Sequence, residues 1–95
     1  MLKVIKRDGR VIDFNEENIK TSIANSASDS GIQITKKELE LIAHAVQKTI
    51  IKMRGVDGVT STFEIRNVIV RELNEFGYKA IAGDFERQEK ERSYP

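Results

Sequence analysis

The chain contains no cysteine and no tryptophan, and only one proline and one histidine among its 95 residues. Without cysteine there is no disulfide framework, no zinc ribbon and no thiol-based radical chemistry. The lone His44 has neither a cysteine nor a second histidine with which to share a metal, so a structural or exposed role is expected for it. No apolar run approaches the ~20 residues of a membrane helix and no signal-peptide pattern is present, which leads to the expectation of a cytoplasmic protein. One proline and six glycines leave no linker, low-complexity tract or internal repeat. A Gly-x-x-x-x-Gly-Lys-Ser/Thr loop, a dinucleotide fingerprint and a supported Ser/His/Asp set are also missing, so nothing points to catalysis. The length suits one domain, residues 1–95, with a single modest core and no room for a large catalytic domain. Sixteen basic side chains nearly cancel fifteen acidic ones, for a net charge of +1. That balance argues against a broad nucleic-acid footprint while leaving room for a local cationic pocket.

What is present begins with Val4-Ile5-Lys6-Arg7-Asp8-Gly9-Arg10. Asp-Gly between two β-branched runs predicts a hairpin with strands at 2–6 and 10–14 and a two-residue type I′ turn, which needs positive φ at both central positions. Lys6, Arg7 and Arg10 then crowd one tight turn, where cations beside backbone N–H groups suit a polyphosphate. Taken alone, the same residues also serve as solvated guards of a strand edge.

Four helical segments follow. Asn15 is placed to cap the first, with Glu16 and Glu17 in the first turn, and Ile19, Ile23 and Ala27 form its narrow apolar stripe. Ser28 to Gly31 ends it. Thr35 and Glu38 form a capping box, flanked by the staple pair Ile34 and Leu39, and open a long helix that Gly55 stops. Leu39, Ile42, Val46, Ile50 and Met53 share one face of that helix, broadened by Ala45 and Ile51. Periodicity leaves Val56 to Thr60 open between a loop and a third strand. Ser61 with Glu64 offers a second capping box, Thr62 competing as the cap. Ile65, Val68, Ile69, Leu73 and Phe76 form the apolar face of the third helix, and Gly77 suits its C′ position. A last helix runs from about Tyr78, with Ile81, Ala82 and Phe85 facing inward and a charged, solvated continuation to Arg92.

Val-x-Lys-Arg-Asp-Gly, Phe14, Asn18-Ile19, Thr62-Phe63-Glu64-Ile65-Arg66, Gly77, Ala82, Phe85 and Arg92 occur in an order and spacing that resemble the ATP-cone. This is the small nucleotide-sensing domain found at the N-terminus of many ribonucleotide reductases. The resemblance spans residues 2 to 92. It implies an α+β fold, a four-helix bundle capped by a small three-stranded β-sheet in the order β-β-α-α-β-α-α, with Val56 to Thr60 supplying the third strand. It also implies ATP or dATP as an allosteric ligand, with Mg²⁺, and a reductase catalytic domain or subunit as partner. Met1 to Arg10 is most similar to the cone of the anaerobic, class III reductases, and Pro95 falls where such enzymes run on into their catalytic domain.

Carried over by position, the resemblance puts Val4, Ile5, Lys6 and Arg7 of the first strand at the nucleotide. Asn15 falls where the family contacts base or sugar, and Asn18 and Ile19 fall where it has Lys-Ile. Asn18 is thus a departure that removes one ammonium. Thr62 and Arg66, four apart at a helix N-terminus, lie where the family's helix start meets nucleotide. Arg92 matches a phosphate-binding arginine of the last helix, but Gln88 and Glu89 replace an aromatic and a cation there, which speaks against a second bound nucleotide. Asp8 shapes the turn, since a carboxylate beside phosphate repels it without a bridging cation.

The leading reading is a regulatory module in which ATP and dATP switch reductase activity through a nucleotide-dependent homo-oligomer. The two ligands must then prefer different states, with the 2′-hydroxyl read near Asn15 or Thr62 for ~1–3 kcal/mol of coupling. Two other readings stand beside it. One is the sensing half of a repressor of reductase genes, which needs a DNA-binding part that this chain lacks. The other is a nucleotide-blind interaction module.

Overall fold

The computed structural model describes the backbone of residues 1–92 and the side chains of residues 1–87. Two short strands, β1 (Lys3–Ile5) and β2 (Val11–Asp13), precede helices α1 (Glu16–Asp29) and α2 (Lys36–Arg54). A third strand, β3 (Val59–Ser61), leads directly into α3 (Thr62–Glu75), and α4 (Lys79–Arg92) ends the described chain. The class is therefore α+β, four helices with a three-stranded mixed sheet, as expected.

β1 is the central strand. It pairs antiparallel with β2 (Lys3 opposite Asp13, Ile5 opposite Val11) and parallel with β3 (Lys3 beside Val59, Ile5 beside Ser61). Adjacent antiparallel strands need only a hairpin, whereas a parallel partner requires a long crossover, here supplied by α1 and α2. Side chains alternate across the sheet, so Val4 and Thr60 are buried toward the helices while Ile5, Val11 and Val59 face outward.

The helices pack in a closed circuit, α1 on α2, α2 on α3, α3 on α4 and α4 on α1. Their apolar stripes meet in one core that includes Ile23, Ile42, Val46, Ile50, Ile69, Leu73 and Ile81. Burying each such side chain is worth about 1.5–3 kcal/mol. The expected stripes hold with local exceptions. Met53 is 52% exposed and Phe76, which caps α3, is 40% exposed. Both sit at helix ends. On α2, Ala43 rather than Ala45 is the fully buried alanine.

The caps differ from the expected boxes in an informative way. Ser61, not Thr62, caps α3 by accepting the Glu64 N–H at 3.0 Å, and Thr35 accepts the Glu38 N–H at 3.1 Å. Neither glutamate returns its carboxylate to the cap backbone. Glu38 accepts from the Tyr78 hydroxyl, pinning the start of α2 to the α3–α4 junction, and this raises the Tyr78 pKa. Glu64 accepts from Arg54 Nε (2.9 Å) and NH2 (2.7 Å) and from Thr60 Oγ1 (2.7 Å), tying α2, β3 and α3 together. At Glu64 the tertiary partner has outcompeted the local box because a guanidinium fork satisfies a carboxylate better than one amide does.

The hairpin turn also departs from expectation. Among the described residues only glycines have positive φ, so Asp8 cannot occupy a type I′ turn. Instead Arg7, Asp8 and Gly9 form a three-residue loop. The Gly9 N–H donates to the Lys6 carbonyl at 2.9 Å, Gly9 takes φ +88°, and the Lys6 N–H closes on the Arg10 carbonyl at 2.8 Å. Asp8 helps fix it by accepting from the Arg10 N–H at 3.0 Å and Nε at 2.6 Å.

Three outcomes test this architecture. Leu73→Ala should cost about 2–5 kcal/mol by urea unfolding, the range for emptying a packed core site. Phe63→Ser, at a residue 71% exposed, should stay within about 0.5 kcal/mol. The Glu64 carboxyl is held below its ordinary 4.5 by Arg54 first and Thr60 second. A carboxyl lowered on folding stabilises the fold above its ordinary pKa and loses that contribution as pH falls through the lowered one. The Tm advantage of the parent over Glu64→Gln should therefore be full at neutral pH and shrink as pH falls below 4.5.

Candidate functional site

Between the hairpin and the helices lies a cavity of about 150 Å³. From β1 it is lined by Val4 and Lys6, two residues apart and so on one face of the strand. Ile12, Asp13 and Phe14 contribute from β2 and the chain that follows it. Asn15, Asn18, Ile19 and Ser22 come from the start of α1, and Thr62, Ile65, Arg66 and Ile69 form one row along α3. Phe85 of α4, 4% exposed, completes the wall. Apolar side chains thus surround a few convergent polar groups, the usual make-up of a small-molecule site.

A second, more open concavity of about 320 Å³ adjoins it, lined by Lys6, Arg7, Asp8, Arg10, Thr62 and Arg66. Lys6, Thr62 and Arg66 border both spaces. The combined groove runs from an apolar end under the sheet to a cationic end at the hairpin tip. Such a gradient matches a ligand with a flat, apolar head and an anionic tail.

The polar groups are held by local structure. Asn15 caps α1, its side-chain carbonyl accepting the Glu17 N–H at 2.9 Å, which leaves the amide N–H pair able to donate to a ligand. Because Ser61 takes the cap of α3, Thr62 enters the first helical turn and its hydroxyl donates to the Ile5 carbonyl at 3.4 Å. The Arg66 guanidinium stands 5.6 Å from the centre of the Phe85 ring, a cation–π arrangement that orients it along the wall. Asp8 turns its carboxylate to Arg10, whose backbone N–H and then side chain hold its pKa below 3.8. That pairing offsets one cation of the hairpin tip. Lys6 has no ion-pair partner among the described residues.

Of the residues singled out in the sequence, Val4, Lys6, Asn15, Asn18, Ile19, Thr62 and Arg66 meet in the first cavity. Arg7 lies in the adjoining concavity. Ile5 lines neither space and faces outward from the sheet, touching the site only through its carbonyl bond from Thr62. The side chain of Arg92, like those of Gln88 and Glu89, falls outside the described residues. The sequence reading missed Ile12, Asp13, Phe14, Ser22, Ile65, Ile69 and Phe85 as lining groups. Ser22 stands four residues after Asn18, and Ile69 four after Ile65, so helical spacing alone could have extended both rows. Ile12 follows from alternation once the hairpin register is known.

No curated protein matches the chain. The family model described as the ATP cone domain matches residues 2–87, nearly the whole chain. The cavity with its cationic mouth, the three-stranded sheet over four helices and this match agree: the chain belongs to the ATP cone family of non-catalytic regulatory domains that bind ATP and dATP allosterically.

Proposed function

We propose that this chain is the activity sensor of a ribonucleotide reductase, of the anaerobic class III type, acting in the cytoplasm as one regulatory module. One nucleotide lies in the groove, its base against Val4, Ile19 and Phe85 and its phosphates toward Lys6, Arg7 and Arg66. The observation that carries this reading is the juxtaposition of the apolar cavity with the cationic concavity through Lys6, Thr62 and Arg66. Asn15 and Asn18 donate to base or sugar from the first turn of α1, where the helix dipole further favours an anion. Arg92 is proposed as an additional phosphate ligand.

Among the described residues no group of three His, Cys, Asp or Glu side chains converges. Mg²⁺ is therefore proposed to arrive on the triphosphate oxygens, as is usual where phosphates supply its ligands. ATP and dATP differ at the 2′-hydroxyl alone. They switch activity only if that atom is read differently in two states, proposed here as two assemblies of the chain and its catalytic partner.

Calorimetric titration of the chain with Mg-ATP and Mg-dATP, with light scattering in parallel, tests the proposal. Saturable binding of both near one per chain, with a change in mass on adding dATP, is expected. No heat with either ligand at millimolar concentration would overturn the nucleotide site. Lys6→Ala should weaken ATP by roughly tenfold or more, as a charged hydrogen bond is typically worth ~1.5–3 kcal/mol. An unchanged affinity removes Lys6 from the phosphate set.

A further inference from the structure

α3 delivers Thr62 and Arg66 to the groove from its first two turns, at the point where the apolar and cationic spaces meet. Between them in sequence stands Glu64. Two residues along a helix is a rotation of about 200°, so Glu64 lies on the opposite side of α3 from the groove-lining row. It lines neither space. Its side chain is 18% exposed, and its carboxylate is engaged on both oxygens.

Those bonds reach two other elements. Arg54 is the last residue of α2 and grips both carboxylate oxygens, while Thr60 of β3 donates to one of them. Thr60 is the register partner of Val4, whose side chain walls the groove. The chain between Arg54 and Thr60 is correspondingly tight. The Gly55 N–H donates to the Ile51 carbonyl at 2.7 Å, and a Cβ built on Gly58 would fall 1.9 Å from the Arg54 carbonyl oxygen. The anchor is thus a three-element clamp on the back of the helix whose front faces the ligand.

We infer that Glu64 is a positioning residue: through Arg54 and Thr60 it fixes the start of α3, and so holds Thr62 and Arg66 where they meet the anionic part of a nucleotide. This rests on the proposed nucleotide site and adds to it a residue that touches no ligand. Positioning and simple charge make opposite predictions for Glu64. Removing the Glu64 carboxylate takes away negative charge near an anion site, which by field alone strengthens ATP binding. Removing Arg54 takes away positive charge and by field alone weakens it. A clamp weakens binding when either half is lost.

The test titrates the parent chain, Glu64→Gln and Arg54→Ala with Mg-ATP, and with adenosine by competition, after thermal melts identify a temperature at which all three are folded. Both variants should lose at least about fivefold in ATP affinity while adenosine changes less than about twofold. In the ligand-free proteins, the amide resonances of Thr62 to Arg66 should shift and exchange faster in both variants, with those of Val70 to Glu75 unmoved. Tighter or unchanged ATP binding in Glu64→Gln overturns the inference, as does an equal loss of ATP and adenosine. If the parent itself binds no ATP, the nucleotide site fails. The amide signals then decide the clamp separately, and an unmoved first turn of α3 overturns it.

Discussion

The parallel pairing of β1 with β3 is the constraint on which the site depends. Its three residues on each side place Val4 beside Thr60 and Ile5 beside Ser61. Because Ser61 is also the cap of α3, that register decides where α3 begins relative to the hairpin. Shifted by one residue, the pairing would turn Val4 and Lys6 to the outer face and move the first turn of α3 along the groove. The crossover through α1 and α2 is the topological cost of a parallel partner, and it is also what brings Asn15 and Asn18 to the opposite wall.

Charge is distributed so that the two ends of the groove differ. Asp13 takes up Lys3 on the outward face of the sheet, and Asp8 takes up Arg10 at the hairpin tip. On the far side, Glu64 takes up Arg54. In a chain with a net charge of only +1, Lys6, Arg7 and Arg66 nevertheless line one open mouth together. The exposed pairs Lys3–Asp13 and Asp8–Arg10 contribute little to stability. Their consequence is spatial, since each withdraws a cation or an anion from the set that a ligand meets.

α4 closes the circuit in a similar manner. Ser30, at the end of α1, donates to Asp84, which Arg87 also engages, and both lower the Asp84 pKa, the serine hydroxyl more. With Tyr78 held by Glu38 in the first turn of α2, the helix is fastened at two points. Phe85, next to Asp84, is buried in the wall of the cavity with the Arg66 guanidinium over its ring. No helix among the described residues is long and apolar enough to cross a membrane, and the apolar surface of α4 is spent in this packing.

Periodicity and capping determined the four helices, because stripes such as Ile42-Val46-Ile50 and caps such as Asn15, Thr35 and Ser61 are local properties that any tertiary context must respect. The Lys-Arg-Asp-Gly hairpin and the face pairing Thr62 with Arg66 were legible for the same reason. The third strand was legible only through the family resemblance, since Val56 to Thr60 carries no period, and the strand Val59–Ser61 acquires its geometry from the free edge of β1. The turn was misassigned as type I′ because the Asp8 carboxylate finds Arg10, and this favours a three-residue loop with only Gly9 at positive φ. Likewise the sequence offered Glu38 and Glu64 as partners of their own helix caps, and only the assembled fold supplied Tyr78, Arg54 and Thr60 as better ones. Residues whose partners lie within one turn could be read from the chain alone. Residues whose partners come from another element, Ile12 and Phe85 at the cavity among them, were decided by packing, because burial and charge pairing across elements have no local signature.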